Sequence, residues 1–190
     1  NTLMLSDALV IETLKNQKID DIIHIVICSE NEENINPRFI FKLRENSSIT
    51  IFQHQLASHA SVVNNLSDIY CGDNSSLDIY KIIDEHDNGY HIDTQNIKLA
   101  KNSCLNLFAL NLGADISRTN INADLIEKNA SININALFSS RKKLHIDNQI
   151  MIKHLAEECF SSMNYRGIIR DNSTGVFGGT VYVDKNAQKT

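Results

Sequence analysis

One proline and no tryptophan occur in 190 residues, and nowhere do about eighteen apolar residues run together. The missing run excludes a membrane-spanning helix. A basic block is missing too: 18 Lys and Arg stand against 23 Asp and Glu, for a net charge of −5. A nucleic-acid binder shows the opposite balance on at least one face, so neither nucleic acid nor membrane is expected as a partner. The chain opens on Asn1-Thr2 without a basic leader, so no secretory signal is visible. Without an initiator Met it reads as part of a longer chain. Cys28, Cys71, Cys104 and Cys159 are too far apart for a CxxC pair. Free thiols in a reducing compartment are therefore expected, which points to the cytoplasm. GxSxG, HExxH and the P-loop lysine motif are absent. Gly175-Val176-Phe177-Gly178-Gly179 lacks the GxGxxG spacing and reads as a glycine-punctuated corner between strands.

What is present is a 42% hydrophobic fraction, rich in Ile, together with many Asn. That suffices for a real core and excludes a disordered tail. Biased coding DNA would produce such a composition. So would a fold of strands joined by tight bends, since Ile suits the first and Asn the second.

A repeat decides between helix and strand. Asn46, Asn74, Asn102 and Asn129 are pivots 28, 28 and 27 residues apart. Three residues before them stand Leu43, Cys71, Leu99 and Ile126; three after, Ile49, Leu77, Leu105 and Ile132; five after, Ile51, Ile79, Leu107 and Ile134. Thr50, Asp78, Asn106 and Asn133 lie between the last two columns. Apolar positions two apart with a polar residue between them mean a strand with one face inward. Each unit is thus strand, Asn bend, strand and return path. One coil cannot bury its inner face alone, so coils at a constant period stack. The expected fold is all-β: a single right-handed parallel β-helix over 1–190, its hand set by the crossover rule. Asn16, Asn148, Asn172 and Asn186 continue the pattern less cleanly, with a variant coil at 144–160. Loops are expected at Ser29–Asn36, Ser58–Asn65 and Glu85–Gly89.

Candidate chemistry is sparse. Cys71 and Cys28 read as packing residues, and Cys104 sits beside a corner where sister repeats carry Ser. His154 and Cys159, with Glu157 and Glu158 between them, are the weak candidates for zinc or ferrous iron. One strand supplies two ligands at most, so no metal, cofactor-binding or catalytic residue is assigned. His54/His59 and His86/His91 repeat the five-residue gap but flank expected loops. Asp20-Asp21 and Glu32-Glu33 lie near expected bends and read as solvated.

From His154 onward, a His and a Cys precede Ser161, followed by Tyr165-Arg166-Gly167, the bend at Asp171-Asn172 and Gly175-Val176-Phe177-Gly178-Gly179. The sequence closes on Ala187-Gln188-Lys189-Thr190. This resembles the SufB/SufD family of iron–sulfur cluster assembly proteins, and the last two motifs resemble the SufD branch. Arg166 stands for the family's Lys and Gly178 for its Asn. The resemblance implies a non-catalytic scaffold subunit, missing its N-terminal region and C-terminal helical domain. Its partners would be a SufB-like subunit and a SufC-like ATPase. It implies no cofactor in this fragment, the cluster or iron being handled by the full complex. A coil stack that ends at Thr190 is also expected to self-associate through its strand edge, with Val181 and Val183 as the residues whose replacement by Lys would prevent it. The alternative is a β-helix carbohydrate-active enzyme, a polysaccharide lyase or hydrolase. Such enzymes set several charges on one outer sheet, whereas the outward column here holds Asp78 alone.

Overall fold

The computed structural model describes residues 8–29, 34–57, 59–85 and 88–190. The alternating segments form fourteen strands: β1 (Leu9–Glu12), β2 (Lys18–Ser29), β3 (Asn34–Ile35), β4 (Arg38–Leu43), β5 (Ser48–Ala57), β6 (Val62–Cys71) and β7 (Ser76–Asp84) come first. They are followed by β8 (Tyr90–Leu99), β9 (Cys104–Asn111), β10 (Ile116–Leu125), β11 (Ser131–Ser140), β12 (His145–His154), β13 (Phe160–Ile169) and β14 (Thr174–Val183). One sheet runs β1-β4-β6-β8-β10-β12-β14, with β3 also on β6; the other runs β13-β11-β9-β7-β5-β2. Pairing is parallel in both. Each coil gives one strand to each sheet, and the result is a parallel β-solenoid of about six turns.

The matched columns are the core. Leu43, Cys71, Leu99, Leu77, Leu105, Ile132 and Ile134 have no exposed surface, and Ile51, Ile79 and Leu107 have almost none. Each buried Ile or Leu contributes roughly 1.5–3 kcal/mol, and only the coil above and the coil below can supply that burial. The column assignment fails at one place. Leu125, not Ile126, is in register with Leu99 and fully buried, while Ile126 is partly exposed. The fourth corner is one residue longer than its predecessors, so counting back three residues from the pivot stops one short of the strand.

The pivots are left-handed, as a sharp corner requires. Asn16, Asn46, Asn74, Asn102 and Asn129 have φ between 54° and 60°. Asn is among the few residues with a side chain that enter this region readily. Their carboxamides also bond coil to coil. Each Nδ2 donates to the Oδ1 of the previous corner: Asn46 to Asn16 (2.8 Å), Asn74 to Asn46 (3.0 Å), Asn102 to Asn74 (2.9 Å) and Asn129 to Asn102 (3.0 Å). The ladder then changes residue type. The next left-handed corners are Glu158 and Lys189, and on the opposite side Lys142 and Asp171. Asn148 is instead an inward strand residue opposite Thr119. Asn172 follows the true corner at Asp171, and Asn186 precedes the one at Lys189.

Other expectations are corrected in the same way. Val62 to Asn65 belong to β6, so the loop before it is shorter than the sequence suggested. Glu32-Glu33 and His86 lie outside the described residues. Asp20 and Asp21 are exposed but sit inside β2, at a register shift between Lys18 and Ile22. Cys28 points outward and is exposed, since Ile25 and Ile27 take the inner positions of that strand. The glycine-rich segment lies within β14 and forms no corner. A side chain at Gly175 would come 2.7 Å from the buried Phe138 ring, so this glycine makes room instead of a turn.

Candidate functional site

His154 and Cys159 occupy two positions that the repeat defines. His154 ends β12 in register with Leu125, and so takes the column that Leu43, Cys71 and Leu99 fill in earlier coils. Its Nε2 lies 2.8 Å from Ser161 Oγ, and its Nδ1 has no hydrogen-bond partner among the described residues. Burial lowers its basicity, which favours the neutral imidazole. Cys159 follows the left-handed Glu158, the place held by Ser47, Ser75 and Ser103 in other coils. Those hydroxyls donate to the carbonyl three residues back at 2.6–2.7 Å. Cys159 Sγ reaches the Glu127 carbonyl of the previous coil at 3.4 Å. Burial pushes its thiol up, as it pushes Cys71 up to about 12. A protonated thiol is a poor ligand. Among the described residues no three His, Cys, Asp or Glu side chains converge as a metal site requires.

The polar chemistry lies elsewhere, inside the solenoid. In the coils that carry Ile49 to Ile134 the inward residues in the half nearest the Asn corner are apolar. Toward the opposite corner the same inward parity carries Gln53, Gln55, Lys81, His91, Asp93 and Gln95, all buried. Lys81 on β7 and Asp93 on β8 face each other across the lumen, with Nζ 2.7 Å from Oδ2. Gln95 Nε2 donates to the same oxygen at 2.8 Å. His91 Nδ1 lies 3.2 Å from Glu85 Oε1, both side chains almost fully buried. Asp93 feels opposing influences. Burial raises its carboxyl, but the Lys81 and His91 charges and the hydrogen bonds from Lys81 and Gln95 outweigh that and hold it below the ordinary carboxylate value. Asp93 Oδ1, His91 Nε2 and Glu85 Oε2 have no hydrogen-bond partner among the described residues. Beside the pair, Asn111, Thr119, Asn148 and Tyr165 help to wall a cavity of about 20 Å³. That is room for one water molecule, with polar groups to bind it. Burial, and then the Asp93 charge, push the Tyr165 phenol upward. The arrangement is a fixed ion pair tying two sheets together across the lumen.

Sequence reasoning named His91 only as half of a loop-flanking pair and missed Lys81 and Asp93. The available signal was parity: they sit two and four residues from Ile79 and Ile97, on the same inward face.

The outward column Thr50, Asp78, Asn106, Asn133 is also committed to structure. Asn106 Nδ2 donates to Asp78 Oδ1 at 2.8 Å, and Asn133 Nδ2 to Asn106 Oδ1 at 2.9 Å. A sugar-cleaving site would need such carboxylates free on that face.

Comparison with known proteins agrees with this geometry. The family described as SUF system FeS cluster assembly, SufBD core domain, matches residues 25–190. The chain belongs to the SufBD family. An iron–sulfur cluster assembly SufBD family protein of Synechocystis sp. is 25% identical over 207 residues, an alignment covering all of this chain and 45% of that protein. The chain therefore spans under half the length of this SufBD relative. The match identifies the solenoid as the core domain of this family. No helix among the described residues is long and apolar enough to cross a membrane.

Proposed function

We propose that the chain is the solenoid core of a SufD-like scaffold subunit, which positions partners for iron–sulfur cluster assembly and does no covalent chemistry itself. The observation that carries this is the family match over 25–190 on a fully coiled core. The SufD branch is favoured by Gly175-Val176-Phe177-Gly178-Gly179 and by the closing Ala187-Gln188-Lys189-Thr190. A non-catalytic role is favoured because the strongest acid–base pair, Asp93 and Lys81, is buried and mutually neutralised. The partners are a SufB-like subunit and a SufC-like ATPase, the setting is the cytoplasm, and cluster or iron is handled by the assembled complex.

Affinity purification of the full-length protein from its native host tests this. The SufB-like and SufC-like subunits should co-purify, and the purified core alone should hold well under one iron per chain by elemental analysis. A full equivalent of iron, lost on Cys159→Ser, would move the chain from scaffold to cluster carrier. Failure to recover either partner would sink the complex.

A further inference from the structure

One turn outside the corner ladder carries chemistry of its own. Asn88-Gly89 is the single Asn-Gly pair in the chain. It lies between β7 and β8, with Asn88 exposed in the turn and Gly89 buried just ahead of Tyr90, the first residue of β8. Two backbone bonds tie this point to the neighbouring coils: Asp115 N donates to Gly89 O at 2.8 Å, and Tyr90 N to Ser61 O at 2.8 Å. Gly89 N itself donates to no group among the described residues.

An asparagine carboxamide stands one five-membered ring away from the backbone nitrogen of the residue that follows. Closing that ring is intramolecular, so proximity favours it even with a weak nucleophile. Two things resist it: a Cβ on the following residue, which hinders the approach, and a hydrogen bond that holds the nitrogen. The ladder corners have both. Asn74, Asn102 and Asn129 are followed by Ser75, Ser103 and Ala130, whose nitrogens donate to Gly72 O, Ala100 O and Glu127 O at 3.1, 3.2 and 3.3 Å. The ladder carboxamides are also tied to neighbouring rungs. Gly89 presents neither obstacle, and its missing Cβ permits close backbone approach. We propose that Asn88-Gly89 is a self-modification site, at which the folded chain converts Asn88 to isoaspartate. Gly89 N gives its proton to solvent base and bonds to Asn88 Cγ. The bond from Cγ to Nδ2 breaks, and ammonia leaves with a proton from solvent. Water then opens the cyclic imide, giving isoaspartate when it attacks the main-chain carbonyl and aspartate when it attacks Cγ. One water is consumed, one ammonia is released and no electrons are transferred. The product adds a carboxylate and one methylene to the main chain directly ahead of β8, whose His91 pairs with Glu85 across this turn.

Incubating the purified chain in mildly alkaline buffer, folded or in urea, tests the assignment. Peptide mass spectrometry reads the change from amide to acid, and an isoaspartyl methyltransferase with S-adenosylmethionine labels the product. In the folded chain both signals should appear at Asn88 and at no ladder Asn. Asn88→Gln should lose the label and Gly89→Ala should delay it, with the fold of each variant checked by circular dichroism. Label that persists in Asn88→Gln would place the reaction elsewhere. An Asn88 that stays an amide in the folded chain while it converts in urea would show that the turn protects it, and would overturn the site. Conversion of the ladder residues alongside Asn88 in the folded chain would do the same, since the shielding that sets Asn88 apart would then be absent.

Discussion

At the scale of single residues, direction along the pleat decides cost. Leu77 and Ile79 face the core and Asp78 between them faces out. Leu77→Asp or Ile79→Lys places an unpaired charge in the stack, a loss of several kcal/mol against a typical total of roughly 5–15 kcal/mol. Both variants should be unfolded by circular dichroism. Asp78→Lys loses one ladder bond on the outer face and should melt close to the parent; similar melting of all three would disprove the register. The interior pair behaves differently. Lys81→Met strands the Asp93 carboxylate and should cost about 3–5 kcal/mol, while Lys81→Met with Asp93→Leu should recover most of it. Because the folded-state pKa of Asp93 is depressed, its contribution is present above the unfolded carboxylate value and lost as pH falls through the folded one. Urea midpoints measured from neutral to acid pH should therefore fall for the parent in the acid range. In Asp93→Asn that part of the fall should be absent. These two residues were not legible because the eye follows apolar columns. Lys81 and Asp93 keep the inward parity and change the chemistry, and only a partner across the lumen makes either tolerable.

At the scale of elements, the corners were the most legible feature and also the source of error. Asn at a left-handed φ served as a marker as long as the ladder lasted. Where Glu158, Lys142 and Asp171 took the same conformation, the nearby Asn148 and Asn172 attracted the assignment instead. Glycine misled for a different reason. Gly167 and Gly175 flank the Phe138 ring, so their smallness serves a packed aromatic inside strands. No local pattern announces that, because the partner lies a coil away. The ladder itself can be separated into backbone and side-chain parts. Asn74→Gly keeps the positive φ and removes the carboxamide bonds, for about 0.5–1.5 kcal/mol, whereas Asn74→Ala adds left-handed strain, for about 1–3 kcal/mol more. Chemical denaturation of the two variants should rank them in that order; equal losses would mean that the backbone strain is negligible.

At the scale of the whole molecule, stacking explains both stability and sociability. Val181 and Val183 on β14 continue the inner columns of Ile152 and His154, yet they are 44% and 48% exposed. The 190-residue chain on its own should sediment as a dimer or larger, and Val181→Lys with Val183→Lys should shift it to monomer with its fold intact. A strictly monomeric parent would show that this edge is already blunted. The repeat period, the alternation and the closing motifs made fold and family legible in the sequence. The lumen was not, because Lys81 and Asp93 stand 12 residues apart on opposite sheets and meet only after the chain has coiled. The corner ladder carries one last consequence, for how the protein can be made. Asn46-Ser47-Ser48, Asn74-Ser75-Ser76 and Asn129-Ala130-Ser131 are each a three-residue acceptor for N-linked glycosylation. A eukaryotic secretory route would present them to the glycosylating enzyme before the coils close. A sugar on any one of these carboxamides removes a rung and blocks the next coil, so export from such a host should yield glycosylated, unstacked chains, and synthesis in its cytosol should yield the solenoid.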